Sequence, residues 1–350
     1  MSAKIKVLVV DDSFLMRKII SDAINADPLL EVVDKAKNGK EALEKILELK
    51  PDIVTMDVNL PIMDGISVLE EVMKKQPTRI IMVSAYTREG TNATIKALEA
   101  GAVDFIAKPS GEISLDIYKL KDEIVSKIKL AANIKINKFL SREDILLTAG
   151  PKEADFIAID KLVIIGASTG GPRAILDVMQ GIPVGLSATF LIVQHMPKGF
   201  TASFAERIAW QSGVKSKEAE DGDLLSLGKA YIAPAGYHMV LERQGSKILL
   251  RLNQDEPVNF VRPAIDVTMI SAAQIMGNKV LGVVLTGMGK DGLDGARKIK
   301  EKGGKIIIQD EATSVVWGMP KAVYDAGLAD TVLPISGVAQ AIVRNIEQGA

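Results

Sequence analysis

Five polar residues in the first third of the chain each stand at the end of a short apolar run. They are Asp11, Asp12, Asp57, Ser84 and Lys108. If such runs are strands of an open parallel sheet, their carboxyl ends converge on one edge, and these side chains lie together. Three carboxylates repel one another and need a cation, and oxygen ligands with room for water and phosphate suit Mg²⁺. The set predicts a metal-dependent site where an aspartate attacks a phosphoryl group.

The other two members of the set fit the same chemistry. Lys108 offers a point positive charge to a phosphoryl oxygen, and Ser84 offers a hydroxyl donor. Each residue alone has an ordinary structural explanation, such as a helix N-cap for an acid or a solvated surface position for a lysine. The specific signal is their combination, in this order, at successive strand ends.

A second group of residues indicates nucleophilic catalysis. The stretch Gly166–Pro172 reads G-A-S-T-G-G-P and matches G-x-S-x-G, a strand-to-helix turn that exposes a serine, here Ser168. Pro172 suits the first turn of a helix, whose N–H groups would face an oxyanion. A phosphate-binding glycine-rich loop is the alternative. The sequence does not match G-x-G-x-x-G, and it lacks a lysine at the P-loop position.

A serine nucleophile needs a base, and the chain has two histidines. His195 follows the apolar run Thr189–Val193 and is therefore expected at the carboxyl end of a strand. His238 is expected in a turn that leads into a strand. Either histidine alone is more often structural than catalytic, but its position favours His195.

The base in turn needs an orienting carboxylate. Asp291 lies among glycines in Thr286–Gly292, which predicts a tight loop after the strand Val280–Leu285. The competing interpretation makes Asp291 the N-cap of a following helix. Asp266 is a second carboxylate option, although it sits inside a helical pattern.

Apolar runs alternate with helical patterns along both halves of the chain, which predicts parallel sheets flanked by helices. The first-half strands are predicted at Val7–Val10, Ile53–Met56, Ile80–Val83 and Val103–Ile106, and the helices at Ser13–Ala26, Gly39–Leu49, Gly65–Lys75 and Thr91–Ala100. The second-half strands are predicted at Leu162–Ile165, Thr189–Val193, Lys229–Ile232, Val280–Leu285 and Lys305–Ile308, and the helices at Arg173–Gln180, Thr201–Ser212, Ala264–Met276 and Gly292–Lys302. We therefore predict two α/β domains.

The domains are predicted at residues 1–123 and 159–350, with a linker over 124–158 that begins as a helix. This linker is Lys/Ile-rich at first and then polar, with a turn signal at Gly150-Pro151. A linker of this length allows one domain to move over the other.

Composition excludes several classes of protein. The chain has no cysteine, so disulfides, thiolate metal sites and cysteine nucleophiles are excluded. Its net charge of −1 gives no indication of nucleic-acid or membrane binding. It has neither a signal-peptide pattern nor an apolar run long enough to span a bilayer, so a cytoplasmic protein is expected.

Residues 4–123 resemble the receiver domain of response regulators. The resemblance rests on Val-Asp-Asp-Ser at 10–13, Met-Asp at 56–57 with Pro61, Ser84, and Lys-Pro at 108–109. It implies a flavodoxin-like, doubly wound parallel sheet in which Asp57 is phosphorylated. It also implies Mg²⁺ held by Asp12, Asp57 and the backbone carbonyl of Asn59, with Asp11 acting through water. Phe105 would be the aromatic residue whose rotamer follows the state of the site.

Residues 160–335 resemble the catalytic domain of the chemotaxis protein-glutamate methylesterases, the CheB family. The matching stretches are Ile165–Gly171, Val193–Phe200, Ala233–Met239, Arg262–Val267, Leu285–Gly292 and Gln309–Pro320. The order Ser168, His195, Asp291 differs from that of α/β-hydrolases, which places their aspartate before the histidine. A receiver followed by this domain is the family's architecture, and a doubly wound α/β fold is implied for the second half.

The resemblance implies hydrolysis of γ-glutamyl methyl esters on the cytoplasmic helices of chemoreceptors, with release of methanol, and deamidation of some receptor glutamines. Ser168 would attack the ester, His195 would take and return the proton, and Asp291 would orient the imidazole. The backbone N–H groups of Thr169 and Met288 are assigned to the oxyanion. A chemotaxis histidine kinase would be the phosphodonor, and the esterase site would need no cofactor.

Two other functions are compatible with parts of the sequence. A receiver joined to a binding or transcriptional module would require a basic recognition helix, which is not visible in the second half. An esterase or amidase of the same fold with another substrate is left open, because the sequence does not distinguish the substrates.

Overall fold

A computed structural model of the chain describes residues 4–85, 87–108, 116–134 and 161–348, without the side chains of 88, 89 and 116–119. The chain divides into two compact units, Met1–Arg142 and Glu143–Ala350. Each unit is an α/β structure with its own parallel sheet. No helix in these described ranges is long and apolar enough to cross a membrane.

The first unit alternates strands and helices along its whole length. Its elements are β1 Ile5–Val10, α1 Phe14–Asn25, β2 Leu30–Ala36, α2 Gly39–Leu49, β3 Ile53–Asp57, α3 Gly65–Lys75, β4 Arg79–Ser84, α4 Arg88–Glu99, β5 Asp104–Ala107 and α5 Asp116–Ala132. The strands are parallel in the order β2-β1-β3-β4-β5. The order reverses between β1 and β3, and the carboxyl ends of strands at such a point form a crevice where ligands bind.

Strand burial explains the apolar runs of the first unit. Residues 7–10 of β1 and the whole of β3 are buried, as expected for a sheet covered by helices on both faces. The helices α1, α2 and α3 begin at the capping side chains Ser13, Asn38 and Asp64, which accept hydrogen bonds from N–H groups of the first turns. Strand β2 was not predicted.

The last helix of the first unit continues past the predicted domain boundary. Ile124, Ile128 and Ala131 of α5 are buried at helical spacing, and the Arg79 Nε donates to the Ile134 carbonyl at 2.7 Å. The boundary predicted at residue 123 therefore falls inside a packed helix, and the first unit extends at least to Ile134. Residues 135–158 of the predicted linker lie outside the described residues.

The second unit has a larger sheet. Its elements are β6 Leu162–Ala167, α6 Gly171–Gln180, β7 Thr189–Gln194, α7 Thr201–Ser212, β8 Lys215–Glu218, β9 Lys229–Ile232, β10 His238–Gln244, β11 Lys247–Asn253, α8 Ile265–Met276, β12 Val280–Val284, α9 Leu293–Glu301, β13 Lys305–Gln309, α10 Met319–Asp325, β14 Thr331–Leu333 and α11 Ile335–Glu347. Seven parallel strands lie in the order β14-β13-β12-β6-β7-β9-β8, and β10 and β11 form an antiparallel hairpin. All of the strands and helices predicted here are present, whereas β8, the hairpin, β14, α10 and α11 were not predicted.

The chain path places a topological switch at the centre of the second sheet. The chain starts at β6, builds one side through β7, β9 and β8, and then returns to β12 on the other side of β6. The carboxyl ends of β6 and β12 therefore border the crevice where ligands bind in such folds. Strands β6, β7 and β12 are buried throughout, which holds this edge rigid.

Candidate active site and phosphorylation site

The three residues predicted for nucleophilic catalysis all lie at one edge of the second sheet. Ser168 directly follows β6, His195 directly follows β7, and Asp291 lies in the loop between β12 and α9. The His195 Nε2 and the Asp291 Oδ2 are 2.8 Å apart. The backbone N–H of His195 donates to the Ala167 carbonyl at 3.2 Å, which sets the histidine beside the end of β6.

The backbone around Ser168 is fixed on several sides. Its N–H donates to the Thr286 carbonyl at 3.0 Å, and its carbonyl accepts from the Gly171 N–H at 2.8 Å. Gly170, the N-cap of α6, has a φ of +75°, which a glycine adopts without a Cβ clash. This turn leads directly into α6 with a proline in its first turn, as predicted, so the helix N-terminus faces the serine.

Gln194 links Ser168 to His195 and was not predicted. Its buried side chain donates through Nε2 to the Ser168 carbonyl at 2.9 Å and to the His195 carbonyl at 3.0 Å. One amide thus holds the ends of β6 and β7 in register. A polar residue at the end of a buried apolar strand was the available sequence signal.

The bond to Asp291 decides which nitrogen of His195 can act as a base. An ionised carboxylate only accepts hydrogen bonds, so the imidazole carries its proton on Nε2. The other nitrogen, Nδ1, is then the proton acceptor available to Ser168. The imidazole is largely enclosed, with 13% of its side chain exposed.

Asp291 is buried and caps a helix that lies elsewhere in the sequence. Its Oδ2 accepts from the Ile265 N–H at 2.7 Å and its Oδ1 from the Asp266 N–H at 3.0 Å, both in the first turn of α8. Burial opposes ionisation, but the hydrogen bond and charge of His195, with these N–H groups, hold the carboxyl pKa below its ordinary value. Asp291 is therefore suited to remain ionised.

Asp266 completes a reciprocal arrangement. Its Oδ1 accepts from the Gly292 N–H at 2.9 Å and from the Gly295 N–H at 2.7 Å, at the start of α9. Asp291 precedes α9 and caps α8, while Asp266 belongs to α8 and caps α9. The N-cap of α9 is Gly292, so the alternative reading of Asp291 as that cap is wrong. Burial, together with the charge of Asp291, raises the pKa of Asp266 to about 6.

Asn259 lies between these two carboxylates and was also not predicted. Its Nδ2 is 2.8 Å from the Asp266 Oδ2 and 3.2 Å from the Asp291 Oδ1. Its φ of +54° lies in the left-handed region, which asparagine tolerates better than most residues. An asparagine in an irregular segment gave no sequence signal for a role 32 residues further along the chain.

The groups assigned to the oxyanion lie on the two loops beside Ser168. Among the residues that the structure describes, neither the Thr169 N–H nor the Met288 N–H donates to a protein acceptor. A Cβ on Gly287 would come within 2.8 Å of the Ser168 Cβ, so the loop backbone passes very close to the serine. The two N–H groups are therefore available near Ser168, and their role remains a proposal.

His238 lies away from the base position. It is buried at the start of β10, where its Nδ1 accepts from the Ala264 N–H at 3.2 Å and its Nε2 is 3.1 Å from the Glu256 carbonyl oxygen. Both ring nitrogens are used by backbone groups, so this histidine holds the segment that precedes α8.

The first unit brings its acidic residues together at the ends of β1 and β3. One carboxylate oxygen from each of Asp11, Asp12 and Asp57 lies within 4.8 Å of the others. The Lys108 Nζ is 2.8 Å from the Asp11 Oδ2 and 2.7 Å from the Asp57 Oδ2. Burial raises the pKa of Asp57, and the adjacent Lys108 opposes that rise.

This acidic set fits a divalent cation. Within the described residues, the buried Asp11 Oδ2 forms an ion pair with Lys108 and receives no hydrogen bond of good geometry, so it can still accept a cation. Clustered carboxylate oxygens are the ligands that Mg²⁺ prefers. The Asn59 N–H donates to the Asp57 Oδ1 at 3.2 Å, and the metal-binding role of its carbonyl stays a prediction.

Ser84 and Phe105 are buried close to this site. The Ser84 hydroxyl donates to the Gly90 carbonyl at 3.0 Å and would have to leave this acceptor to reach a phosphoryl group. The Phe105 ring is 3% exposed, and the Lys127 Nζ lies 5.1 Å from its centroid. Pro109, which was part of the predicted motif, lies outside the described residues.

Comparison with known proteins extends over both units. The sequence profile described as CheB methylesterase matches residues 163–342, and the profile described as response regulator receiver domain matches residues 7–117. The chain belongs to the CheB methylesterase family. It is 48% identical to a Pyrococcus abyssi "Protein-glutamate methylesterase/protein-glutamine glutaminase", with 98% of this chain and 94% of that protein covered.

Other members of the family give the same result. The Thermotoga maritima protein with the same name is 45% identical, covering 97% of this chain and 98% of that one. The crystal structure of the Thermotoga maritima CheB methylesterase catalytic domain is 44% identical with a TM-score of 0.52, covering 53% of this chain and 98% of that chain. The predicted family and the two α/β folds are therefore confirmed.

Proposed function

We propose that the second unit hydrolyses γ-glutamyl methyl esters on the cytoplasmic helices of chemoreceptors, releasing methanol, and deamidates receptor glutamines. The observation that carries this proposal is the His195–Asp291 hydrogen bond beside Ser168 at the switch point of the sheet. The relatives' names include both the methylesterase and the glutaminase activities, which supports the choice of substrate. Because these receptor helices lie in the cytoplasm, we place the protein there.

Catalysis begins with Ser168. The His195 Nδ1 takes the hydroxyl proton while the Ser168 Oγ attacks the ester carbonyl carbon. The N–H groups of Thr169 and Met288 stabilise the oxyanion of the tetrahedral intermediate. The intermediate collapses with loss of the methoxy group, which receives the proton from His195 and leaves as methanol. Ammonia leaves in the same step when the substrate is a glutamine.

The acyl-enzyme is then hydrolysed by the reverse use of the same base. His195 takes a proton from water, water attacks the acyl carbon, and Ser168 leaves with the proton returned to its Oγ. Asp291 holds the imidazole through Nε2 and stabilises its positive charge in both halves of the reaction.

The decisive experiment measures methanol release from methylated receptor fragments. We expect Ser168→Ala and His195→Ala each to lower kcat by about 10⁴-fold or more, because triad members act as a unit. Ser246→Ala, in the exposed turn between β10 and β11, is the matched control and should keep full activity. A fully active His195→Ala enzyme would contradict the triad.

We further propose that Asp57 is phosphorylated by a chemotaxis histidine kinase and that this modification controls the esterase. Asp11, Asp12, Asp57 and the Asn59 carbonyl would hold Mg²⁺, which offsets negative charge during phosphoryl transfer. Lys108 pairs with Asp57 and is positioned to meet a phosphoryl oxygen.

Initial esterase rates test this control. We expect a small phosphodonor with Mg²⁺ to change the rate of the unaltered protein, while Asp57→Ala keeps a basal rate and gives no response. Equal rates with and without the donor, or a response that persists in Asp57→Ala, would remove Asp57 as the switch.

A further inference from the structure

The side chain of Asn259 joins the two buried carboxylates Asp291 and Asp266, and a substitution can remove it. Asp291 and Asp266 also accept hydrogen bonds from the backbone N–H groups of residues 265, 266, 292 and 295. Asn259 is the one side chain in the described part of the unit that bonds both carboxylates, through Nδ2 at 2.8 and 3.2 Å. A primary amide has two N–H donors and can serve both acceptors at once.

The two carboxylate oxygens of Asp291 have different hydrogen-bond partners. The Oδ1 accepts from Asn259 and from the N–H groups of Asp266 and Gly292, at 3.0–3.2 Å. The Oδ2 is left to the Ile265 N–H and to the imidazole of His195. A carboxylate can rotate about its last side-chain bond, and donors on one oxygen fix which oxygen faces the histidine.

We propose that Asn259 is a positioning residue of the esterase, holding the Asp291 carboxylate so that its Oδ2 faces His195. This inference rests on the proposed function, because it assigns a role within the same catalytic site. Asn259 would act through Asp291, because its side-chain hydrogen bonds within the described residues go to Asp266 and Asp291 rather than to Ser168 or His195.

The charges around His195 determine how the inference can be tested. Asp291 contacts the imidazole, Asp266 lies behind Asp291, and Asp294 of α9 lies close enough to act on Asp266. Lys198 and Lys290, on the loops of His195 and Asp291, are exposed. A further negative charge at position 259 would therefore raise the pH at which His195 loses its proton.

Two substitutions are compatible with the left-handed backbone and remove the amide donors. Asn259→Gly removes both donors, and Asn259→Asp replaces them with a carboxylate of the same shape. Asn278→Asp adds the same charge at an exposed site just before β12, at the opposite edge of the sheet, and serves as the control.

The readout is the rate at which a fluorophosphonate labels Ser168, measured from pH 5 to 9. The Ser168 Oγ attacks phosphorus, fluoride leaves, and His195 takes the proton, so the assay does not depend on the receptor. We expect a rate about tenfold lower for Asn259→Gly and about a hundredfold lower for Asn259→Asp. The midpoint of the acid limb should move to higher pH in Asn259→Asp, because negative charge near His195 favours the protonated imidazole.

A second measurement separates positioning from loss of folding. The chain has two histidines, so the His195 titration can be followed by NMR, and its midpoint does not depend on the fraction of active enzyme. We expect this midpoint to rise in Asn259→Asp and to stay unchanged in Asn278→Asp.

Unchanged labelling rates and midpoints in both Asn259 variants would overturn the inference. Labelling of the unaltered protein without methanol release from receptor fragments would reject the proposed substrate and leave the role of Asn259 intact. A complete lack of labelling would overturn both, since no activated serine would then exist to be positioned.

Discussion

Asp266 and Asp291 are neighbouring carboxyl groups whose pKa values the fold shifts in opposite directions. Burial and the charge of Asp291 raise the pKa of Asp266 to about 6, whereas His195 and the α8 N–H groups hold the pKa of Asp291 down. Two close carboxylates avoid mutual repulsion when they ionise over separate pH ranges. Asp291, the proposed orienting residue, therefore carries the charge, and Asp266 can hold a proton below about pH 6.

The raised pKa of Asp266 predicts a pH-dependent stability. Between pH 4 and 6 the folded chain binds more protons at this site than the unfolded chain does, so stabilisation present below pH 4 is lost as the pH rises through 6. We expect a loss of about 2–3 kcal/mol, absent in Asp266→Asn. Urea unfolding followed by tryptophan fluorescence measures it, because Trp210 and Trp317 both lie in the second unit. Parallel pH profiles for the two proteins would contradict this expectation.

Gly287 gives a second prediction at this scale. A Cβ there would lie 2.4 Å from the Met319 Sδ and 2.8 Å from the Ser168 Cβ, so Gly287→Ala must displace the serine or the loop. We expect a loss of about 1–3 kcal/mol in stability and at least a tenfold lower esterase rate. Gly337→Ala is the control, because its Cβ would meet only ordinary contacts at 3.7–3.9 Å in α11. An active Gly287→Ala enzyme would refute the close approach.

Some residues of the two sites could be predicted from the sequence, whereas others gave no local signal. Ser168 could be selected from its G-x-S-x-G motif, and His195 and the five polar residues of the Asp57 site could be selected because each follows an apolar run. Asn259 and the capping role of Asp266 could not, since their bonds join segments that are distant in sequence. Such partners are determined by tertiary packing, which local patterns do not encode.

The strands that were not predicted from the sequence are short or mix charged with apolar residues. Strand β2 carries Glu31, Asp34 and Lys35, and it pairs with β1 only, at an edge of the sheet. The hairpin strands β10 and β11 likewise mix charged and apolar residues because one side of each is solvated. Central strands are buried on both faces, so their apolar runs are continuous and readily predicted.

The segment before α8 contains consecutive residues in the left-handed region. Phe260, which follows Asn259, has a φ of +65° and a fully exposed side chain. This conformation costs a non-glycine residue roughly 1–2 kcal/mol. The Phe260 ring is exposed, so its burial does not offset this cost.

Phe260→Gly should therefore raise the stability of the second unit. We expect a net gain of about 0.5–1 kcal/mol after the greater chain entropy of glycine is subtracted. Urea unfolding by tryptophan fluorescence measures it, and Gln274→Gly at an exposed position in α8 should lose about 1 kcal/mol. If Phe260→Gly is destabilised as much as Gln274→Gly, the strain at position 260 is absent.

At the scale of the whole molecule, each unit carries one site at the switch point of its own sheet. Asp11 follows β1 and Asp57 ends β3, while Ser168 and Asp291 follow β6 and β12. The rule that ligands bind at strand carboxyl ends predicted the first location from the apolar runs, and it supported the second together with the motif around Ser168. The domain boundary at 123 was wrong because the apolar stripe of α5 continues to Ala131, and polar residues begin only after it.

Removal of the metal should affect the proposed phosphorylation site and leave the esterase site unaffected. We expect EDTA to abolish the response of the esterase to a phosphodonor and to leave the basal rate unchanged, because the acids at Asp57 are the proposed metal ligands. Added Mg²⁺ should restore the response, and Asp57→Ala should be insensitive to both treatments. A basal rate that falls in EDTA would show that the serine site also depends on a metal.

The reciprocal caps of α8 and α9 have a consequence for synthesis of the protein. Ser168 leaves the ribosome 123 residues before Asp291, and His195 also precedes the aspartate. The carboxylate then receives its α8 donors only when both helix starts have docked on each other. In the proposed triad, Ser168 therefore has no oriented base until Asp291 and the start of α9 have been synthesised. Hydrolytic competence cannot precede that point of translation.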